Sequence, residues 1–205
     1  MDWTSLYLKT SNLNVFILGT GEVATRRANK FLDHGANGRL AGNHLSSDLE
    51  SKGAVLYSTS EADDLVKWAD LVVVANNDEK LANHVCEISQ DKLINRADFP
   101  QKGDVIVPTS FNIGDIEISI FTNGKSPLMA RQLRKKIQSV ITDEDILEIE
   151  LQEYARGKLK DCVEDQKTRR KYLYEILDDD KINELIKNRE IDEAKIYIDN
   201  LIRGL

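Results

Sequence analysis

Four apolar residues, Val15-Phe16-Ile17-Leu18, run straight into Gly19-Thr20-Gly21-Glu22-Val23-Ala24. This junction constrains the chain more than any other stretch. A strand without polar alternation is covered on both faces, as in a parallel sheet layered by helices. The first glycine permits a tight turn, and the second lets backbone approach a pyrophosphate. Ala24 takes the small position that packs helix on strand. The junction therefore reads as the phosphate-binding corner of a dinucleotide fold, or as a relic of that fold without the ligand.

The following hundred residues keep the same rhythm. Apolar Val23, Ala24, Ala28, Phe31 and Leu32 make a helical stripe over 23–34, with Gly35 placed to close it. Strands are expected at 37–43, 54–57, 70–75 and 92–96, and helices at 46–52, 61–68 and 78–89. Residues 37–43 hold two glycines and only two apolar residues, and only the βαβ topology places a strand there. Alternation of this kind gives a doubly wound parallel sheet, with ligands at the carboxyl ends of its strands. Gly19, Ala75 and Asn95 are expected at such ends.

After residue 103 the pattern changes. Two strands, 104–108 and 116–121, follow with no helix between them, and the second alternates as a half-exposed antiparallel strand does. Pro127 is placed to open a basic helix over 128–141, and Thr142 caps a helical remainder that breaks at Asp178-Asp179-Asp180. The expected fold is α/β: a Rossmann-like doubly wound parallel sheet, then a small α+β region, then a helical C-terminal domain.

With 205 residues and a formal net charge of -7, the chain lacks the basic surface that nonspecific nucleic-acid binding needs. No apolar run approaches a membrane span, and the N-terminus has neither a basic segment nor an apolar one of signal type, so a cytoplasmic protein is expected. The two cysteines, Cys86 and Cys162, form no metal or CxxC spacing and are expected as buried, reduced thiols. His34, His44 and His84 all fall in the first half, and no metal site is expected.

Three places carry chemistry besides the glycine corner. The second strand ends in Gly42-Asn43-His44 rather than in the acid that bonds an adenosine ribose, which leaves NAD and NADP both open. Asp98 follows a sheet strand at the ligand edge. It is either a proton acceptor or a turn-starting residue ahead of Pro100. Residues 122–134 pair a helix start with Lys125, Arg131 and Arg134, either an anion-binding corner or a capped surface helix.

These motifs, in this order, resemble the precorrin-2 dehydrogenase family, which includes the N-terminal module of sirohaem synthase. The family's Gly-Gly-Gly-x-Val-Ala-x-Arg-Lys is similar to Gly19 through Arg27, and its Ala-Thr-Asp-Asp to Ala75-Asn76-Asn77-Asp78. Its Asn-Val-Val-Asp resembles Asn95-Arg96-Ala97-Asp98, and its Cys-Asp-Phe-Ile-x-Pro resembles Gly103 through Pro108. Its Ser-x-Gly-Lys-Ser-Pro-x-x-Ala-Arg-x-Leu-Arg resembles Thr122 through Arg134. Arg96 and Ala97 replace two valines, Gly103 replaces a cysteine, and Thr122 stands where some members have a regulatory serine.

The resemblance implies a Rossmann domain over 1–112, a dimerisation region over 113–141 and a helical domain over 142–205. It implies oxidation of precorrin-2 to sirohydrochlorin with NAD as hydride acceptor, in a homodimer. Asp98 is the implied catalytic residue. Implied NAD contacts are Gly19, Thr20, Gly21, Glu22, Val23, Asn43, His44, Ala75, Asn76 and Asn77. Thr122, Asn123, Gly124, Lys125, Ser126 and Arg131 are implied around the tetrapyrrole. Two other functions remain open: a sirohydrochlorin metal-chelatase, and a non-catalytic Rossmann protein that binds a tetrapyrrole or a partner.

Overall fold

The computed structural model describes residues 3–204. Met1 and Asp2, on which part of the N-terminal signal expectation rests, lie outside the described residues, as does Leu205. The chain divides into two compact units, the first ending at Val107 and the second beginning at Pro108.

The first unit runs β1 (Asn14–Leu18), α1 (Glu22–Leu32), β2 (Asn37–Ala41), α2 (Ser47–Ser51), β3 (Val55–Tyr57), α3 (Ala62–Trp68), β4 (Leu71–Val74), α4 (Glu79–Ile88) and β5 (Leu93–Arg96). The five strands form one sheet in the order β3-β2-β1-β4-β5, and every pairing is parallel. Strand order reverses between β1 and β4, so their carboxyl ends border the crevice where such sheets take ligands.

Strand residues alternate between two cores. Val15, Ile17, Leu40, Leu71 and Val73 pack with Ala24, Ala28 and Phe31 of α1 and Leu49 of α2. Phe16, Leu18, Ala41, Val72 and Val74 pack with Leu65 and Val66 of α3 and Ala82 and Val85 of α4. Burial on both faces is why β1 and β4 read as unbroken apolar runs.

Its packing explains the unpromising composition of β2. A Cβ at Gly38 would lie 2.9 Å from the Leu32 side chain, so the missing side chain lets α1 settle on the strand. On the opposite face the Arg39 guanidinium stacks 4.1 Å from the Trp68 ring and 5.4 Å from Tyr57. Both residues looked wrong for a buried strand, and each is matched by a partner on a neighbouring element.

The second unit opens with an antiparallel hairpin, β6 (Thr109–Ile113) and β7 (Ile116–Ile120), followed by α5 (Pro127–Gln138). Four helices complete it: α6 (Asp143–Cys162), α7 (Gln166–Leu177), α8 (Asp180–Lys187) and α9 (Ile191–Arg203). Leu151, Ala155, Leu159, Ile176, Leu185, Ala194 and Ile198 form their core. Thr142, Asp165 and Asp179 each accept a backbone N–H at the start of α6, α7 and α8. The three aspartates thus break the chain as expected, with Asp178 ending α7 and Asp179 capping α8.

Two expectations are corrected. Residues 104–108 form no strand, and the hairpin begins one step later, at Thr109. The Asp104 and Val105 amides both donate to the Ile94 carbonyl, while side chains of Asn95 and Arg27 donate to the Val105 and Val107 carbonyls at 2.7 and 2.8 Å. Those bonds occupy the groups a ladder would need. The thiols are not both buried either: Cys86 is half-buried and Cys162, at the last position of α6, is exposed, both of them free.

Candidate functional site

The glycine corner sits at the carboxyl ends of β1, β2 and β4. Gly19 has φ of 117° and donates to the Ala41 carbonyl at 2.8 Å. A Cβ there would fall 2.2 Å from the Ala75 carbonyl oxygen, so the fold itself demands glycine. Gly21 is different. Its φ is −75°, which any residue adopts, and a Cβ there would meet nothing within 4 Å. Nothing among the described residues needs a glycine at that position, and the open space lies where α1 begins.

Gly21 is also the N-cap of α1 and offers no side chain to cap it. The first-turn amides are left for an outside acceptor, and they lie at the positive end of the helix dipole. An uncapped helix start behind a needless glycine fits a diphosphate approached by backbone. Glu22 and Val23 in that turn have exposed side chains, and their amides stand at the helix start.

The neighbouring strand ends complete the edge. A Cβ at Gly42 would come within 2.6 Å of the Thr20 side chain, which ties the end of β2 to the corner. Asn43 and His44 follow, both exposed. Beyond β4, Ala75 donates to the Leu18 carbonyl at 2.9 Å, and the Asn76 side chain accepts from the Asp78 amide at 2.7 Å. Gly19, Thr20, Gly21, Glu22, Val23, Asn43, His44, Ala75, Asn76 and Asn77 thus share one edge of the sheet.

Asp98 lies at the same edge, two residues past the end of β5, its side chain about one-third exposed at 32%. The surprise is its partner. Arg96, only 5% exposed, grips both carboxylate oxygens: Nε donates to Oδ1 at 3.0 Å and Nη2 donates to Oδ2. Nη1 donates to Asn83 Oδ1 on α4 at 3.1 Å. Partial burial disfavours charge on Asp98, but the Arg96 fork and the Asp98 and Phe99 amides outweigh it and hold the carboxyl below the usual carboxylate range. Beside them, burial pushes the Cys86 thiol up. Asp98 is therefore a fixed, ionised carboxylate. Sequence reasoning passed over Arg96 as a functional group. The available signal was an arginine ending a strand that helices should cover on both faces.

Asn95 lies inside β5, level with Val73, rather than at the strand's end. It is 2% exposed, and its amide holds Val105. It is a clamp on the following segment.

The remaining site residues belong to the second unit. Thr122 Oγ1 accepts the Ser126 amide at 3.3 Å, and Asn123 and Gly124 turn the chain at φ 55° and 73°. Ser126 caps α5 by accepting the Met129 amide at 3.1 Å, with Pro127 at the first helical position. Lys125 and Arg131 are exposed, while the Arg134 guanidinium lies 5.1 Å from the Phe111 ring. The structure thus gathers the Thr122–Ser126 turn into one hydrogen-bonded unit and directs Arg134 toward the hairpin.

Among the described residues, no group of three or more His, Cys, Asp or Glu could hold a metal ion. No helix among them is long and apolar enough to cross a membrane.

Comparison with known proteins agrees with this geometry. Residues 6–109 match the family model described as "Putative NAD(P)-binding". The precorrin-2 dehydrogenase of Methanosarcina barkeri is 30% identical over 190 residues, covering 86% of this chain and 84% of that protein. The siroheme synthase of Actinobacillus succinogenes is 26% identical over 214 residues, covering all of this chain but 45% of that protein. The chain spans less than half the length of the siroheme synthases it matches. The solved structure of the precorrin-2 dehydrogenase SirC superposes with a TM-score of 0.76 at 25% identity, covering 95% of this chain and 100% of that one. A glycine corner at the switch point of a parallel sheet, a dinucleotide-family match and a relative of this identity and coverage assign the chain to the precorrin-2 dehydrogenase family.

Proposed function

We propose that this protein oxidises precorrin-2 to sirohydrochlorin with NAD as hydride acceptor. The observation that carries the proposal is Gly21: a glycine the fold does not require, facing open space at an uncapped helix start, on the edge that also holds Asp98. Names of relatives in the same family support the substrate.

The first-turn amides of α1 would hold the NAD diphosphate, with the corner held rigid by the close approach of Gly19 to Ala75. Asn43, at the end of β2, offers neutral hydrogen-bonding groups to a ribose. When bound, NAD supplies the hydride acceptor. Loss of hydride leaves the substrate macrocycle positively charged, and the ionised Asp98 stabilises that charge and accepts the proton that departs. Lys125 and Arg131 suit the substrate's acidic side chains. The Arg96 fork disfavours a chelatase role, because a guanidinium saturating both Asp98 oxygens opposes a divalent cation there.

A homodimer is proposed as the working form. Phe121, Leu128 and Met129 are apolar and exposed around the start of α5, 43%, 65% and 51% respectively, in the region that the family resemblance implies for dimerisation. The two free cysteines support a reducing compartment, and the cytoplasm is proposed. The deciding experiment is anaerobic turnover of precorrin-2 with NAD or NADP, followed by absorbance. Oxidation that needs NAD and is lost in Asp98→Ala is the expected result; turnover without a nicotinamide cofactor would reject the proposal.

A further inference from the structure

Arginine is almost never buried without a partner, and here every branch of the guanidinium is engaged. Arg96 is the last residue of β5, where its register partner Val74 lies fully buried in the α3–α4 core. Its fork closes on both oxygens of Asp98, and its remaining branch reaches Asn83 of α4. A bidentate pair fixes a carboxylate in plane and direction, which a single hydrogen bond does not. The guanidinium is held from strand and helix together, so it acts as a rigid platform for a loop residue.

We propose that Arg96 is the positioning residue of the Asp98 site, setting the one orientation in which the carboxylate faces the substrate during hydride removal. The proposal rests on Asp98 being the group that takes the proton. The substrate C–H bond breaks with its electron pair, which goes to the nicotinamide; the second hydrogen leaves as a proton, passes to Asp98 and then to solvent. A carboxylate gripped by arginine is a weak base, so the proton moves only once hydride loss has made it acidic. Until then Asp98 acts as a fixed negative charge against the cation that develops.

Few other groups bear on Asp98. Besides Arg96 at the end of β5, α4 contributes Asn83 and the Cys86 thiol, which burial keeps protonated. Asp104, after the short turn at 100–102, influences Cys86, and Lys102 stacks 5.0 Å over Phe99. Arg96 is therefore the side chain that, with the Asp98 and Phe99 amides, keeps Asp98 ionised below the usual carboxylate range.

The test is the pH dependence of kcat in the full chain and in Arg96→Val, Arg96→Lys and Asp98→Ala. Wild-type kcat is expected to hold through the ordinary carboxylate range near 4, and Arg96→Val to lose about 10- to 100-fold with its acid limb moved to higher pH. The KM for NAD is expected to stay unchanged in both, and Arg96→Lys, which restores charge without the fork, to recover only part of kcat. Carboxyl NMR of Asp98 in the substrate-free protein should show the same upward shift in Arg96→Val. An unchanged kcat profile in that variant, with Asp98→Ala inactive, would overturn the positioning role. A fully active Asp98→Ala would overturn the proton-acceptor assignment and the positioning role with it. If Arg96→Val does not fold, the Arg96→Lys profile decides: wild-type kcat and acid limb there reject the fork.

Discussion

Two glycines two residues apart do opposite jobs. Gly19 is required by the protein, with its positive φ and a backbone oxygen where a Cβ would sit; Gly21 meets no described atom there, and under the proposed function the NAD diphosphate is what would need it. Gly19→Ala is expected to cost several kcal/mol, from about 1–3 kcal/mol of backbone strain plus the clash, and to be seen as a large drop in melting temperature. Gly21→Ala should melt within a few degrees of wild type yet weaken NAD binding at least about tenfold by calorimetry. Unweakened binding would remove the observation on which the proposed function stands. The Asp98–Arg96 pair adds a pH-dependent term. The Asp98 carboxyl is held below its ordinary range in the folded protein, so the pair's stabilisation is complete above that range and is lost as pH falls through the lower folded pKa. Asp98→Asn is therefore expected to flatten the acid limb of stability below about pH 4, and a melting series across that range checks it. The aspartate was legible from its place after a strand. Its partner was not, since a two-residue offset in sequence says nothing about whether a loop folds back.

At the level of elements, period and caps did most of the work. β1 and β4 were plain because both faces are buried, and the helices were plain because their stripes meet one core each. β2 was legible only through topology, because Gly38 and Arg39 answer to Leu32, Tyr57 and Trp68, which lie elsewhere in the chain. Arg39→Ala is expected to cost about 1 kcal/mol in denaturant unfolding. Segment 104–108 misled in the other direction: its apolar run was real, but Val107 is buried as a core residue while its carbonyl is held by an arginine side chain. Asp179 marks a clean prediction for the helical unit. It accepts the Ile182 amide at 2.9 Å, so Asp179→Ala should destabilise by about 1 kcal/mol without touching NAD affinity.

For the molecule as a whole, charge and fold pull on different properties. The net charge is -7, yet Lys125, Arg131, Lys135 and Lys136 cluster around one short stretch that ends in a basic helix. If the exposed apolar residues there meet a second copy, sedimentation should give twice the 23.2 kDa chain mass. Introducing a charge at Met129, half exposed and outside the core, should then shift the protein toward monomer without unfolding it.

What the amino-acid order determined by itself was most of what has a local period or a local turn: the alternation of strand and helix up to β5, the glycine corner, the hairpin's second strand and the Thr142 cap. Those follow from bonds made within a few residues, and a few residues are enough to reveal them. Only the tertiary structure decided which glycine serves the fold and which faces open space, why residues 104–108 leave the sheet, how Cys86 and Cys162 differ in burial, and that Arg96 holds Asp98. Each of these depends on atoms brought within a few ångströms by separate elements, and no local pattern encodes that distance.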